Sequence, residues 1–248
     1  MERTQKRMEP IGLIGTVLEN HDLPRVTNRL LHKEDRIDAA KKLLAVLYLY
    51  QKGIPFIYQG QELGMENTFN PDVRSMQDVS SHDEYRVCKE AGLSEEEAVR
   101  IVNHYSRDNA RTPFQWDDSA NAGFTTGTPW LAVNPNYKSI NAASQVADAN
   151  SVYHFYRRAI ALRKHPSYAN TFVYGVFAGV ETEDANVIAY TRTTEEQTIL
   201  VICNFQHQDA SCKVPSGTVL LDNYEDTDMA DGTISLRPFE AVVLLVTT

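Results

Sequence analysis

The chain has 248 residues, with 42% hydrophobic and 23% charged side chains, a composition that is ordinary for a globular protein. Its formal net charge of −9 argues against a nucleic acid or an anionic membrane surface as a partner. No stretch approaches the roughly 18 apolar residues of a membrane span, and the N-terminal segment has no apolar signal core, so we expect a cytoplasmic protein.

The first predicted element is a strand over the apolar run at residues 11–18. It is followed directly by polar residues, which include His21 and Asp22. Side chains at the carboxyl ends of the strands of a β/α barrel converge on one open mouth, so this placement predicts a catalytic position. Taken alone, the pair is better explained as a cap or a turn after a strand, where Asn and Asp are favoured.

A helix follows. Residues 36–52 carry apolar side chains at helical spacing, and Gly53 stands at the position of a C-terminal cap. Further along the chain, a capping box at 94–97 predicts a short helix that runs through His104. Residues 151–164 predict another helix, which ends before Pro166.

From residue 171 onward the sequence changes to short β-rich runs separated by turn residues. The predicted strands cover 171–177, 186–193, 198–205, 219–221 and 239–246. Their regular spacing favours an antiparallel sandwich over crossover units. Cys203 and Cys212 could face each other across neighbouring strands, but in a reducing compartment we expect buried thiols.

Four phrases in the chain occur in the order in which one enzyme family carries them. They are LENHDLPR at 18–25, IPFIYQGQELGM at 54–65, SRDNARTPFQWD at 106–117 and PWLAVNP at 129–135. Four such motifs in one order rarely arise together by chance. The chain resembles the α-amylase superfamily of glycoside hydrolases, in its oligo-1,6-glucosidase and α-glucosidase branch. Phe114 stands where Met is commoner in that family.

The resemblance implies an α/β plus all-β fold. Residues 1–168 would form part of a (β/α)8 TIM barrel, namely strands seven and eight with their helices, and residues 169–248 an antiparallel β-sandwich. A whole barrel takes roughly 250 residues, and residues 1–10 leave no room for six preceding strand-helix units. We therefore expect the C-terminal part of an enzyme, able to self-associate or to pair with a missing N-terminal half through exposed barrel edges.

The family's chemistry depends on residues that this sequence lacks. Its nucleophile is an Asp in a Gly-Phe-Arg-x-Asp phrase on the fourth strand, and its acid/base is a Glu on the fifth, and neither has a counterpart here. A retaining enzyme needs both carboxylates, roughly 5 to 5.5 Å apart. We expect the chain to be inactive alone.

The resemblance assigns roles to five residues. Asp22 would be the third catalytic carboxylate, a transition-state stabiliser that binds the 2- and 3-hydroxyls of the glucosyl ring, and His21 would support it. Arg111 would clamp the non-reducing glucose, because a guanidinium can hold a hydroxyl and pair with a carboxylate. Arg107 could share that role or be a solvated surface residue. Arg25 would line the acceptor side of the pocket.

The intact relative would hydrolyse α-glucosidic bonds of short oligosaccharides without a metal or another cofactor. The histidines of this chain lack the spacing of a metal site. Whether the bond is α-1,6, α-1,4 or that of a phosphorylated trehalose stays open, because the residues that choose lie largely in the missing half. Two alternatives also stay open: a non-catalytic carbohydrate-binding or subunit-interaction module, and the product of a disrupted gene.

Overall fold

The computed structural model describes residues 2–247, in which helices predominate up to residue 174 and strands thereafter. The α-helices are α1 (Glu2–Met8), α2 (Val26–Leu30), α3 (Asp38–Leu49), α4 (Val79–Glu90), α5 (Glu95–Tyr105), α6 (Asp108–Arg111), α7 (Ala142–Ala147), α8 (Val152–Lys164) and α9 (Ala169–Tyr174). The strands are β1 (Gly15–Val17), β2 (Ile54–Phe56), β3 (Val176–Val180), β4 (Val187–Thr193), β5 (Thr198–Asn204), β6 (Ala210–Lys213), β7 (Gly217–Asp222), β8 (Asp228–Ala230), β9 (Thr233–Leu236) and β10 (Ala241–Val246). Short 3-10 helices occupy Lys33–Asp35, Gln61–Leu63, Val73–Ser75, Ala120–Gly123 and Pro135–Lys138. Between residues 2 and 247, no helix is long and apolar enough to cross a membrane.

The chain forms two compact units. The first combines the residues up to Val17 with Ile37–Phe56 and with the residues from Phe155 onward. The second comprises Leu18–Arg36 and Ile57–His154. The domain boundary expected between residues 168 and 169 stays a prediction.

In the first unit, β1 and β2 form a parallel pair. Gly15 lies opposite Ile54, and Val17 lies opposite Phe56. Val17, Ile54 and Phe56 are 43%, 55% and 56% exposed. Parallel strands are normally covered on both faces, so this exposed apolar face is unusual. The strand predicted over 11–18 is shorter than expected, because only Gly15–Val17 pairs with a neighbour.

The helix predicted over 36–52 is confirmed as α3, which is almost entirely buried and packs on β5 and β10. Its C-terminal cap is Tyr50, and the prediction that Gly53 is the cap is wrong. Gly53 instead adopts φ +144°, and a Cβ there would lie 2.4 Å from the carbonyl oxygen of Ile14. Glycine is therefore required where the chain approaches β1 closely.

Two arginines satisfy the last carbonyls of α3. Arg163 donates to the carbonyl of Leu49, and Arg192 donates to the carbonyl of Tyr50 at 2.9 Å. Arg192 also donates to the carbonyls of Phe172 and Gly175, at 2.6 and 2.8 Å. Burial lowers the pKa of the fully buried Arg192 to about 10. Cations bonded to helix C-terminal carbonyls are favourable, and here they connect α3, α9 and β4.

The strand predicted over 171–177 is wrong in its first part. Residues 169–174 form α9, and only Val176–Val180 is a strand. The ring of Phe172 is fully buried, with its centroid 4.7 Å from that of Tyr50, and its carbonyl is held by Arg192. These distant contacts outweigh the β preference of Thr and Val.

The remaining predicted strands are confirmed as β4, β5, β7 and β10. Strands β3-β4-β5-β10-β7 form one antiparallel sheet, and β6-β9-β8 form a second one. Both sheets contribute to one apolar core, which contains Val187, Ala189, Leu200, Ile202, Cys212, Val214, Ile234, Leu236, Val242 and Leu244.

The cysteines of this region are thiols, as expected. Cys203 and Cys212 are both buried and free. Burial raises the pKa of both side chains, so the thiolate form is disfavoured.

In the second unit, α4 and α5 pack on a small core of Val73, Met76 and Val102. The predicted capping box is confirmed: Ser94 accepts from the backbone amide of Glu97 at 3.2 Å, and Glu97 accepts from the amide of Ser94 at 3.0 Å. The predicted helix after it is α5. The helix predicted over 151–164 is also confirmed, as α8, most of which belongs to the first unit.

Candidate active site

The predicted catalytic carboxylate lies in the loop that follows β1 along the chain. The backbone amide of Asp22 donates to Oδ1 of Asn20 at 2.8 Å, a local turn that Asn favours. This turn leaves the Asp22 side chain 50% exposed. The turn therefore fixes the backbone at Asp22 and leaves the carboxylate accessible to a ligand.

The structure brings four of the five predicted site residues together around this carboxylate. Nη2 of Arg111 lies 3.0 Å from Oδ1 of Asp22, and Nη1 of Arg107 lies 3.5 Å from the same atom. Nε2 of His21 lies 3.2 Å from the other oxygen, Oδ2. Nε of Arg111 also donates to the carbonyl of His21 at 2.9 Å.

Both arginines of this cluster belong to one short element. Arg107 is the N-cap of α6, and Arg111 is its last residue. Residues four apart project from the same side of a helical turn, so the SRDNAR spacing presents both guanidinium groups to Asp22. The α6 turn is itself anchored, because Oδ2 of Asp108 accepts from the amide of Gln77 at 2.7 Å.

Asp78 is a residue of the site that the sequence did not single out. Its buried carboxylate accepts from Nε and from the backbone amide of Arg107, at 2.9 and 3.0 Å. Burial raises the pKa of Asp78, but these hydrogen bonds and that from Ser80 outweigh it and leave the pKa lowered. Arg107 is thus fixed by a buried carboxylate, while its Nη1 faces Asp22. In the sequence, Asp78 is recognisable only as an Asp at the start of a helix, which indicates an ordinary N-cap and not a site residue.

Arg25 does not join the cluster. Its side chain is fully buried, and Nη1 lies 3.1 Å from Oε2 of the buried Glu19. Burial raises the pKa of Glu19, although the charge of Arg25 opposes the shift. Each guanidinium nitrogen of Arg25 already has a partner inside the protein, a geometry that does not favour the predicted contact with an acceptor sugar.

A separate cavity of about 360 Å³ lies in the same unit. Phe69, Trp130, Asn103 and Asp108 are among its lining residues, and both aromatic side chains are more than 60% exposed. The amide of Asn103 is already bonded to the backbone of Asn70 and to that of its own helix. The cavity therefore offers exposed aromatic rings to a ligand, but the Asn103 amide already makes its hydrogen bonds within the protein.

The Asp22 cluster has the chemistry of a polyol-binding site. The guanidinium groups hold the carboxylate in place, and its exposed lone pairs can accept hydrogen bonds from sugar hydroxyls. Over residues 2–247, no group of three or more His, Cys, Asp or Glu side chains is arranged to hold a metal ion.

Proteins of known function resemble the chain over almost its whole length. It is 38% identical to an oligo-1,6-glucosidase of Halalkalibacterium halodurans, over 99% of this chain and 44% of that protein. It is also 38% identical to a trehalose-6-phosphate hydrolase of Bacillus subtilis, over 92% of this chain and 41% of that protein. The chain therefore spans less than half the length of these relatives.

Solved structures show the same similarity. The crystal structure of Bacillus licheniformis trehalose-6-phosphate hydrolase superposes with a TM-score of 0.91 at 33% identity, over 99% of this chain and 45% of that one. A mutant isomaltulose synthase of Erwinia rhapontici, solved in complex with D-glucose, gives a TM-score of 0.90 at 35% identity, over 99% and 45%.

Two family profiles match successive parts of the chain. The profile of the α-amylase catalytic domain matches residues 1–171, and that of the C-terminal domain of the α-amylase SusG matches residues 187–243. The first match covers more than half of the chain and contains the whole Asp22 cluster. The chain therefore belongs to the α-amylase family of glycoside hydrolases.

Proposed function

We propose that this chain supplies one part of an α-glucosidase active site of the oligo-1,6-glucosidase type. Asp22 is the transition-state stabiliser, and His21, Arg107 and Arg111 bind the sugar. The observation that carries the proposal is the convergence of these three side chains on one half-exposed carboxylate, at 3.0 to 3.5 Å. An exposed ion pair stabilises a fold by at most about 1 kcal/mol, so stability alone is a weak reason for such a cluster.

The proposed role is electrostatic. Cleavage of a glycosidic bond passes through an oxocarbenium-like state, in which the sugar ring distorts and its hydroxyls become better hydrogen-bond donors. Asp22 would accept from these hydroxyls more strongly in the transition state than in the ground state, which is the kind of binding that accelerates a reaction. The nucleophile and the proton donor have no counterpart among the 248 residues. They would come from a further segment of polypeptide.

We also propose that β1 and β2 are the seventh and eighth strands of a (β/α)8 barrel. Their parallel pairing fits that assignment, as does the exposed face of Val17, Ile54 and Phe56. Parallel strands of a barrel are paired on both edges and covered on both faces. The partner in this proposal is a polypeptide that carries the preceding strand-helix units.

The proposed substrates are short oligosaccharides with α-glucosidic bonds. The proposal draws on the relatives named oligo-1,6-glucosidase and on the one named trehalose-6-phosphate hydrolase. The choice between a neutral and a phosphorylated glucoside falls to groups outside the Asp22 cluster, because a carboxylate paired with arginines recognises hydroxyls in either substrate.

Mixing the chain with a complementary segment tests this proposal. Alone, the chain should release no nitrophenol from p-nitrophenyl α-glucoside, because one carboxylate of a catalytic unit achieves little without the others. Adding the part of the Halalkalibacterium halodurans enzyme that precedes the matched region should give measurable hydrolysis. Asp22→Ala should abolish that hydrolysis without weakening association of the two polypeptides. Association without hydrolysis, or hydrolysis that survives Asp22→Ala, would show that the assignment of Asp22 is wrong.

A further inference from the structure

We propose that Arg25 is a positioning residue, whose buried guanidinium fixes α6 against the loop of His21 and Asp22 so that Arg111 meets the carboxylate. The consequence for catalysis rests on the function proposed above, but the geometry stands without it. Arg25 touches neither Asp22 nor Arg111 among its described contacts; it acts through the backbone that carries them.

The guanidinium first holds α6. Nε of Arg25 donates to the carbonyl of Asn109 at 3.3 Å, and Nη2 donates to that of Ala110 at 3.5 Å. Both carbonyls lie within the four-residue helix that ends at Arg111. So short a helix has no stability of its own, and its orientation must be set by contacts of this kind.

The same guanidinium holds the loop that carries Asp22. Nη1 donates to Oε2 of Glu19 at 3.1 Å, and Oε1 of Glu19 accepts from the amide of Val26 at 2.7 Å. Glu19 stands two residues before His21, whose carbonyl accepts from Arg111. Arg25 therefore fixes both sides of the Asp22–Arg111 contact.

The segment after β2 closes this arrangement. Nη1 of Arg25 donates to the carbonyl of Gln59 at 2.7 Å, and the hydroxyl of Tyr58 donates to the carbonyl of Ala110 at 3.0 Å. Gly60 leaves room for the guanidinium, because a Cβ there would lie 3.2 Å from Nη1 and 2.4 Å from Sδ of Met65. Three separate segments, which are α6, the loop of Glu19 and the segment after β2, thus contact the single planar guanidinium of Arg25.

Energetics favour a positioning role over a stabilising one. Burial raises the pKa of Glu19 despite its partner, which means that desolvation outweighs the attraction of Arg25. Replacing a buried ion pair by neutral groups of similar size is often neutral for stability, whereas removing one partner alone is costly. A lysine would keep the charge next to Glu19 but could not reach all these oxygens, because it has a single flexible ammonium group.

The test uses the 248-residue chain labelled with 15N and two variants. Arg25→Lys keeps a cation beside Glu19, and the double variant Glu19→Gln with Arg25→Met removes both charges. The readout is the hydrogen exchange of the side-chain Nε–H of Arg111, whose signal is identified by its loss in Arg111→Lys. The reference in the same spectrum is the Nε–H of Arg237, which donates to Glu240 at 2.9 Å in the other unit.

We expect both variants to fold, with the exchange of the Arg111 Nε–H at least about tenfold faster and that of Arg237 unchanged. Unchanged exchange at Arg111 in a folded Arg25→Lys chain would overturn the proposal. Loss of folding in Arg25→Lys would also overturn it, because the guanidinium would then be needed for stability itself. The measurement involves no sugar, so its failure leaves the assignment of Asp22 intact, and failure of the mixing experiment leaves this inference intact.

Discussion

Asp22 is positioned by one local turn and by two arginines that lie far from it in the sequence. Asn20 sets the turn, and Arg107 and Arg111 approach the same carboxylate oxygen from α6. Arg107 differs from Arg111 because a second, buried carboxylate, that of Asp78, holds it. The orientation of Arg107 should therefore depend on the charge of Asp78.

The Asp78→Asn variant tests that dependence through pH. In the folded chain the hydrogen bonds from Arg107 and Ser80 hold the pKa of Asp78 below its ordinary value of 3.8. Its charge therefore stabilises the fold above that pH and ceases to do so as the pH falls through the lowered pKa. We expect the variant to lose about 2 kcal/mol of unfolding free energy near neutral pH. The loss should shrink toward zero as the pH falls through the lowered pKa of Asp78. Urea unfolding at a series of pH values measures both quantities.

Asp83→Asn is the matched control, because Asp83 lies on the same helix and its side chain is 71% exposed. It should change the free energy of unfolding by less than about 0.5 kcal/mol. Asn at position 78 can still cap α4 through its side-chain oxygen, so the loss reports the contact with Arg107 and not the cap. A loss at Asp78→Asn that is equal at neutral and acid pH would argue against a charged contact with Arg107.

Part of the site was predictable from the sequence. His21, Asp22, Arg107 and Arg111 were proposed from two motifs, and the structure brings all four together. The position of Arg25 was not predictable, because its partners other than Glu19 include carbonyl groups of residues 84 and 85 positions later in the chain. Backbone acceptors carry no signature in the sequence, so a conspicuous arginine beside a catalytic motif was taken for a ligand-binding group.

At the scale of elements, buried arginines join helices to the antiparallel sheet of the first unit. Arg192 lies on β4 and donates to three carbonyls, those of Tyr50, Phe172 and Gly175. These carbonyls belong to the ends of α3 and α9. A buried carbonyl without a donor costs free energy, so the arginine secures both helix ends at once.

Arg192→Met should lower the free energy of unfolding by about 3 kcal/mol, because three buried acceptors lose their donor while the apolar volume is retained. Thermal unfolding followed by circular dichroism measures the change. Arg3→Met, at an exposed position of α1, is the control and should have almost no effect. A small effect of Arg192→Met would mean that water or neighbouring groups replace the donors.

The sequence predicted correctly those helices and strands whose structure depends on residues close together in the chain. The capping box at Ser94 and Glu97 fixed the start of α5, because both of its hydrogen bonds form within three residues. Strands β4, β5, β7 and β10 were predicted from β-rich runs between turn residues, whereas the short strands β6, β8 and β9 were not predicted. By contrast, α9 was mistaken for a strand, since the contacts that make it helical come from Tyr50 and Arg192, more than a hundred and about twenty residues away.

For the whole molecule, the exposed apolar face of β1 and β2 is the feature that most needs a partner. Burying apolar surface contributes about 25 cal/mol per Å², so we expect that covering Val17, Ile54 and Phe56 favours the association proposed above. The family resemblance predicted the two strands and their parallel order, but not that only three residues of each strand are paired.

The most direct measurement is made in a single-chain chimera, in which this chain replaces the matched C-terminal region of the Halalkalibacterium halodurans oligo-1,6-glucosidase. The turnover number on isomaltose is compared for the chimera, for Asp22→Asn and for Asp72→Asn. Asp72 is a matched control, since its side chain is 48% exposed, against 50% for Asp22, and it is also paired with an arginine, Arg74.

We expect Asp22→Asn to lower kcat by about 1000-fold, because it removes a charge that acts mainly in the transition state. Asp72→Asn should leave kcat within about twofold of the parent chimera. If the chimera turns over isomaltose and Asp22→Asn leaves kcat as little changed as Asp72→Asn does, Asp22 is not the transition-state stabiliser.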